Sequence, residues 1–581
     1  SIRYAKRWRI EPSDSAAYRR GELVRPVKQL VFYIDSLMPV KWNPYIKAGA
    51  ESWNKAFEKI GFKDVICVKE FPKNDTLFNA NSFDCMTIRY SASWLNSAQT
   101  TIHSDTRTGE ILNASILINA NMISVQYADR IGATVAIDPR VRTTVFPQEI
   151  QGELIQAAIA QAVGTGLGLT MNWGASCAYP VDSLRSASFT QKYGLASSVM
   201  GGVIINDVAT EEDVRNGVCL VNAKPGPYDE LVIKYLYQPI YASSLQEEKE
   251  TLDSWIREHT GDPYYAYIRN QSRFDSDPRN SRGSLGDDHL KSFDYMLPNV
   301  RKGFENYYSW FAKEDRDFLM RRRVHSALSE RLSGRIYAIL SYIGGIYLND
   351  IREKDAIPSY SMVDREKQKA ALSKALELAK NLDWVDDTAH LNEFEISDKK
   401  ADRLRLDIFN GIFGRLPYVE VCTERFPDAA YTASEYLDDI YGIVWEGVLK
   451  HRPLENFERA LQTAFLESII STSTATAPIG SFKASKTGFA ATGKPEINLA
   501  ALRNGGKVDM KMYSLQNAEE VAGFSSIPPI YTNQTKIAAY YFDLLMRTKD
   551  MLKKAISTAP EADRSHYDLL IYRINKATEI E

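Results

Sequence analysis

Histidine is the first thing this chain has little of. Its 581 residues hold seven, at positions 103, 259, 289, 325, 390, 451 and 566, and no two stand three or four apart. That excludes a zinc site started by two histidines one helical turn apart. The cysteines Cys67, Cys85, Cys177, Cys219 and Cys422 are scattered, odd in number and free of CxxC spacing, so they offer neither a zinc site nor a clear disulfide framework. Long apolar runs are missing as well. The longest, 336–348, has 13 residues and contains Ser341, Gly344 and Gly345, whereas a bilayer span takes about 20. With 71 Lys+Arg against 74 Asp+Glu, the formal net charge of −3 gives no hint of nucleic acid or of an anionic membrane surface. No phosphate-binding P-loop and no G-x-S-x-G elbow is present. Ser1 opens without a signal-peptide pattern, and a mature or trimmed form is expected.

The composition that remains is that of an ordinary globular chain, long enough for roughly two to four domains. Its 32 Tyr and 9 Trp suit either aromatic surface for peptides and sugars or, more simply, aromatic-rich cores. Residues 29–35 (QLVFYID) read as a strand. The segment 44–60 reads as one helix with an apolar stripe of Ile46, Ala50, Trp53, Phe57 and Ile60, capped at Gly61. Further strands are expected at 65–68 and 86–90, and a paired hairpin at 99–103 and 110–118 around the turn 105–109. A long helix follows within 146–173. This order predicts an α/β (α+β) domain with a mixed sheet, assigned to residues 1–286, whose last part, 204–285, is loop-rich. From 287 to 581 a mainly helical region is expected, with helices at 289–311, 314–342, 363–382, 397–413, 433–450, 454–471, 536–556 and 562–577. A Ser/Thr/Ala/Gly-rich surface loop is expected at 471–494. No repeat of constant period is visible.

The chemistry centres on 161–171, QAVGTGLGLTM. This segment has the length and glycine placement of H-E-x-x-H-x-x-G-x-x-H, the zinc signature of metzincin proteases. In that signature two histidines share a helix face, the glycine allows the bend that brings in the third, and the Glu activates the zinc-bound water. Gly168 holds the glycine position here. Gln161, Thr165 and Met171 stand where the ligands belong, and Ala162 where the base belongs. An amide, a hydroxyl and a thioether are poor replacements for three imidazoles. The run Gly164-Thr165-Gly166-Leu167-Gly168 is no dinucleotide fingerprint either, because it ends a helix instead of opening one.

Other stretches carry a wider resemblance: RWRIEPSD (7–14), FYIDSLMPVKW (32–42), WNKAFEKIGF (53–62), DTRTGEI (105–111), YPVDSLRSASFTQKYG (179–194), SSVM (197–200), GPYDELVIKYLY (226–237), DPRNSRGSLGDD (277–288), IGGIY (343–347) and DREKQKAAL (364–372). Through these the chain resembles the Met-zincin-domain family of secreted bacterial zinc metalloproteases over roughly residues 1–390. The resemblance implies a metzincin-like protease domain with a long active-site helix, and makes Met200 the methionine of the Met-turn. It also implies three zinc-binding His and a catalytic Glu, all replaced here, and Gly201-Gly202 in place of the family's acidic-aromatic pair. The expectation is a degenerate member with no zinc cofactor and no catalysis. Family analogy places it outside the cytoplasm of a Gram-negative bacterium, at the outer membrane, cell surface or periplasm.

Loss of the metal need not remove the groove. The edge strand Gln99, Thr100, Thr101, Ile102 and His103 is expected to accept an extended peptide through its unpaired backbone. His103 itself reads as a surface histidine without a role. Expected partners are a peptide or protein ligand and other envelope proteins, with no nucleic acid and no transmembrane segment. Two alternatives stay open: a scaffold or accessory lipoprotein subunit, and a residual or different hydrolase.

Overall fold

The computed structural model describes residues 4–72, 75, 77–93, 98–268, 276–280, 284–352, 355–387, 389–390, 399–472 and 534–578. Strands β1 (Leu30–Ile34), β2 (Ile66–Glu70), β3 (Met86–Ser91), β4 (Ala98–Ser104) and β5 (Ile111–Asn119) form one sheet in the order β2-β1-β3-β5-β4. All neighbours are parallel except β4, which runs antiparallel to β5 with Thr101 opposite Ser115. Leu30, Phe32 and Ile34 alternate into the core, the period of a strand with one face buried. This is the mixed sheet expected from the sequence, and the hairpin with its Gly109 turn is its edge.

The expected single helix 44–60 is two, α1 (Asn43–Glu51) and α2 (Asn54–Glu58). Distant partners impose the break. The fully buried Trp53 donates its indole N–H to Ala160 O at 2.8 Å, and Asn54 pairs both ways with the backbone of Ile66 at 2.9 Å. Helix α3 (Ala120–Thr134), absent from the sequence reading, leaves β5 directly and has no side-chain cap to announce it. Helix α4 (Gln148–Gly166) is the long site helix. It is apolar nearly all round because it lies between two cores: Ile150, Leu154 and Ala157 join one, while Ile155, Ile159 and Val163 join the other. The stretch expected to be loop-rich, 204–285, also holds α5 (Pro227–Tyr237) and a helix at Leu245–Arg257.

Beyond it, α6 (His289–Phe311) matches its expected bounds, and α7 (Leu319–Leu340) starts late because Phe318 turns the chain at φ 61°. The helix Lys400–Arg425 runs through Pro417 well past the expected end, and the expected 433–450 divides at Trp445. The loop expected at 471–494 lies outside the described residues, apart from its first two. Among the described residues no helix is long and apolar enough to cross a membrane. The helical region shares a core with α3 and α4, where Ile131, Ile150 and Leu154 cluster with Val300, Leu328, Leu372 and Phe465, while the strands pack in the other core. Asp207, 0 % exposed, accepts from Arg331 Nε at 2.6 Å and from Arg335, tying the loops before α5 to α7.

Candidate functional site

Helix α4 ends where its glycines permit. Leu167 N and Leu169 N both fold back to Gly164 O, and Gly168 sits at φ 93°. A Cβ there would stand 2.1 Å from Lys6 O, so both the turn and the crossing arm demand glycine. The helix-end carbonyls, which have no partner within the helix, are met from outside. Trp8 Nε1 donates to Gly166 O at 2.8 Å, and Tyr237 Oη donates to Leu167 O at 2.6 Å.

The bend returns Met171 to the face it left. Gln161 Nε2 donates to Met171 Sδ at 3.3 Å, and Thr165 Oγ1 donates to Gln161 O at 3.4 Å. Gln161 and Met171 therefore meet across the bend through a weak contact, with Thr165 one helical turn on from Gln161. Ala162 points inward, 5 % exposed, and its carbonyl accepts from Thr100 Oγ1 at 2.9 Å. Met200 lies beneath the helix, fully buried. A Cβ at Gly164 would fall 2.6 Å from Met200 Sδ and 2.5 Å from the Trp53 ring, so the helix sits directly on both. Asn172 N donates to Met200 O at 3.1 Å and closes the turn onto the bend.

The support under Met200 went unread in the sequence. Ser198 Oγ caps Met200 N at 2.9 Å, and the Asp229 carboxylate accepts from Ser198 Oγ at 2.5 Å and from Val199 N and Gly226 N at 2.9 Å. Asp229 is 0 % exposed, and burial pushes its carboxyl up to about 7 against the pull of those three donors. Its signal was present in GPYDE, where a Gly-Pro opening places an acidic residue at the third helical position.

Strand β4 is the sheet edge, with no strand on its outer side among the described residues. Thr100 is turned to α4, whereas Thr101 and His103 are exposed, and the register shifts between His103 and Ser104. The His103 ring is 5.7 Å from Phe83. Gln99 and Ile102 are half-buried.

The zinc that the helix frame implies does not fit these residues. Gln161 turns its amide N–H to the shared point, Thr165 directs its hydroxyl proton to a helix carbonyl, and Met171 offers a neutral thioether that already accepts a hydrogen bond. Among the described residues no group of three His, Cys, Asp or Glu is placed to hold a metal ion.

No curated protein and no solved structure matches the chain. A model of the family described as Met-zincin matches residues 143–452, more than half of the 581. The match starts and ends later than the motif resemblance over roughly 1–390. It takes in α4, the Gly168 bend, the Met200 turn and α5 to α7. With a metallopeptidase-type scaffold built in this way around α4, the chain belongs to the Met-zincin family.

Proposed function

We propose that this Met-zincin is a catalytically silent member that binds an extended peptide or protein segment in the former substrate cleft without cutting it. The observation that carries the reading is the pairing of a β4 edge that has no strand on its outer side among the described residues with a helix frame whose chemical positions hold Gln161, Ala162, Thr165 and Met171. Main-chain pairing to an edge strand needs no metal, so the groove keeps its binding chemistry when cleavage chemistry is gone. The family resemblance supports an extracytoplasmic setting at the outer membrane, cell surface or periplasm, with other envelope proteins as candidate partners.

The test is on β4. In an antiparallel strand alternate residues turn their N–H outward, so of Thr101 and Ile102 one presents its donor to a ligand. We expect one of Thr101→Pro and Ile102→Pro to weaken binding of short uncharged peptides, read by fluorescence polarisation. Mass spectrometry of the same mixtures should find the peptides intact. Cleavage by pure protein that is abolished by substitutions in the cleft would instead establish a hydrolase. Undiminished partner binding with bulky residues at Ala162 and Thr165 would favour a scaffold acting through its helical region, a reading favoured by the core that region shares with α3 and α4.

A further inference from the structure

The Gln161 carboxamide is only half satisfied. Its Nε2 donates to the Met171 thioether at 3.3 Å, and thioether sulfur is a weak acceptor. The amide must face this way because the sulfur has no proton to give. Among the described residues Oε1 accepts no hydrogen bond, and it is not sealed from solvent. The side chain stands one residue from Ala162, where Thr100 ties the edge strand to the helix. Thr165, four residues on, is already bonded to the helix backbone, and Thr170, the neighbour of Met171, is in contact with the Tyr267 hydroxyl. Gly201, which backs onto Asn172 O, adds no side chain. None of these groups carries a charge.

A carboxamide with a free acceptor and a loosely held donor complements another amide best. A carboxylate ligand would leave Oε1 facing an acceptor, and an ammonium would leave Nε2 facing a donor. In an extended chain the N–H and C=O of one residue point to the same side, so a single carboxamide can take both.

We infer that Gln161 reads the main chain of the bound peptide at one residue: Nε2 leaves the Met171 sulfur for the peptide carbonyl, and Oε1 accepts that residue's N–H. The inference rests on the strand-addition reading above and adds a position to it. Residues of the peptide that pair with β4 recur every second place. The residue taken by Gln161 falls between them, because it points away from the strand. The ligand class follows: an extended peptide that is uncharged at this place and keeps its backbone N–H there.

The probe is a pool of short acetylated, amidated and fluorescein-labelled peptides without Lys, Arg, Asp or Glu. The tightest binder by polarisation is N-methylated at each residue in turn and titrated against wild type and Gln161→Leu. Wild type should lose affinity at every second residue and at one residue out of step. Gln161→Leu should bind the unmodified peptide about five- to tenfold more weakly and lose only the out-of-step sensitivity. If wild type shows no out-of-step residue, or Gln161→Leu keeps it, the inference is overturned while strand addition stands. If no peptide binds, or neither proline substitution in β4 matters, both fall. Should Gln161→Leu fold poorly, Gln161→Glu takes its place, since a carboxylate cannot donate to the peptide carbonyl and should likewise lose the out-of-step sensitivity.

Discussion

The carboxylate of Asp229 and the hydroxyl of Ser198 lie 2.5 Å apart with neither side chain exposed, directly under the turn that carries Met200. Burial raises the Asp229 carboxyl to about 7, whereas an unfolded Asp titrates at about 4. The folded state thus holds this proton more tightly. Its contribution to stability is full below about pH 4 and is lost as pH rises through about 7, on the order of 1.4 kcal/mol for each tenfold difference in proton affinity between the folded and unfolded chain. Urea midpoints of the wild type should fall between pH 5 and pH 8. Asp229→Asn keeps an oxygen for the two backbone N–H groups and gives Ser198 a donor, as the protonated acid does. It should match the wild type at pH 5, exceed it at pH 8 and flatten the slope. A slope that persists in the variant would assign the proton to another group.

The glycines of the site helix are close-approach positions. At Gly164 a methyl group would overlap Met200 Sδ and the Trp53 ring. Gly164→Ala should therefore cost about 1–3 kcal/mol by overpacking. Gly168→Ala should cost more, because it meets both the positive φ and the Lys6 carbonyl. Denaturant melts of the two variants give the order, and equal stability with wild type would mean that the arm or the Met200 turn yields easily.

Zinc content tests the loss of the metal site. Chelator-free protein should carry no stoichiometric zinc by elemental analysis. Because Met171 Sδ is 3.3 Å from Gln161 Nε2, the triple change Gln161→His, Thr165→His and Met171→His should bring three imidazoles together and recover about one zinc per chain. Stoichiometric zinc in the unaltered protein, lost on changing any of these positions, would contradict this account.

Asp207 ties the sheet region to α7. The two guanidiniums overcome the burial penalty and hold its carboxyl below the usual value. Asp207→Ala would strand Arg335, 2 % exposed, without its partner, and should cost about 3–5 kcal/mol. Since α4 contributes to both cores, intrinsic tryptophan fluorescence and far-ultraviolet circular dichroism should report one coincident unfolding transition in the wild type. Two well-separated transitions would show that the halves stand alone.

What could be read from the chain beforehand was whatever is written locally. Alternation in β1 and β4, the turn before Gly109 and the glycine spacing after Gln161 each lie within a dozen residues, and the structure has them where expected. The break at Ser52 and Trp53 depends on Ala160, which lies 107 residues further on. Helix α3 was hidden because its apolar residues continue the pattern of β5 without a cap between them. At the site, the convergence of Gln161 and Met171 followed from the frame, but the Gln161–Met171 hydrogen bond could not be inferred from residue types. Asp229 was overlooked because a helix-capping carboxylate and a buried strut look the same in one dimension.

The arm at Lys6 to Trp8 has a kinetic meaning as well. Its partners on α4 and at Tyr237 lie 158 and 229 residues along the chain. In synthesis this arm precedes both partners, and although Arg7 can pair earlier with Gly109 and Ile111, Trp8 can dock only after the helix end and Tyr237 have both been made. A part made before the site helix is thus docked only after it, and the site is completed only then.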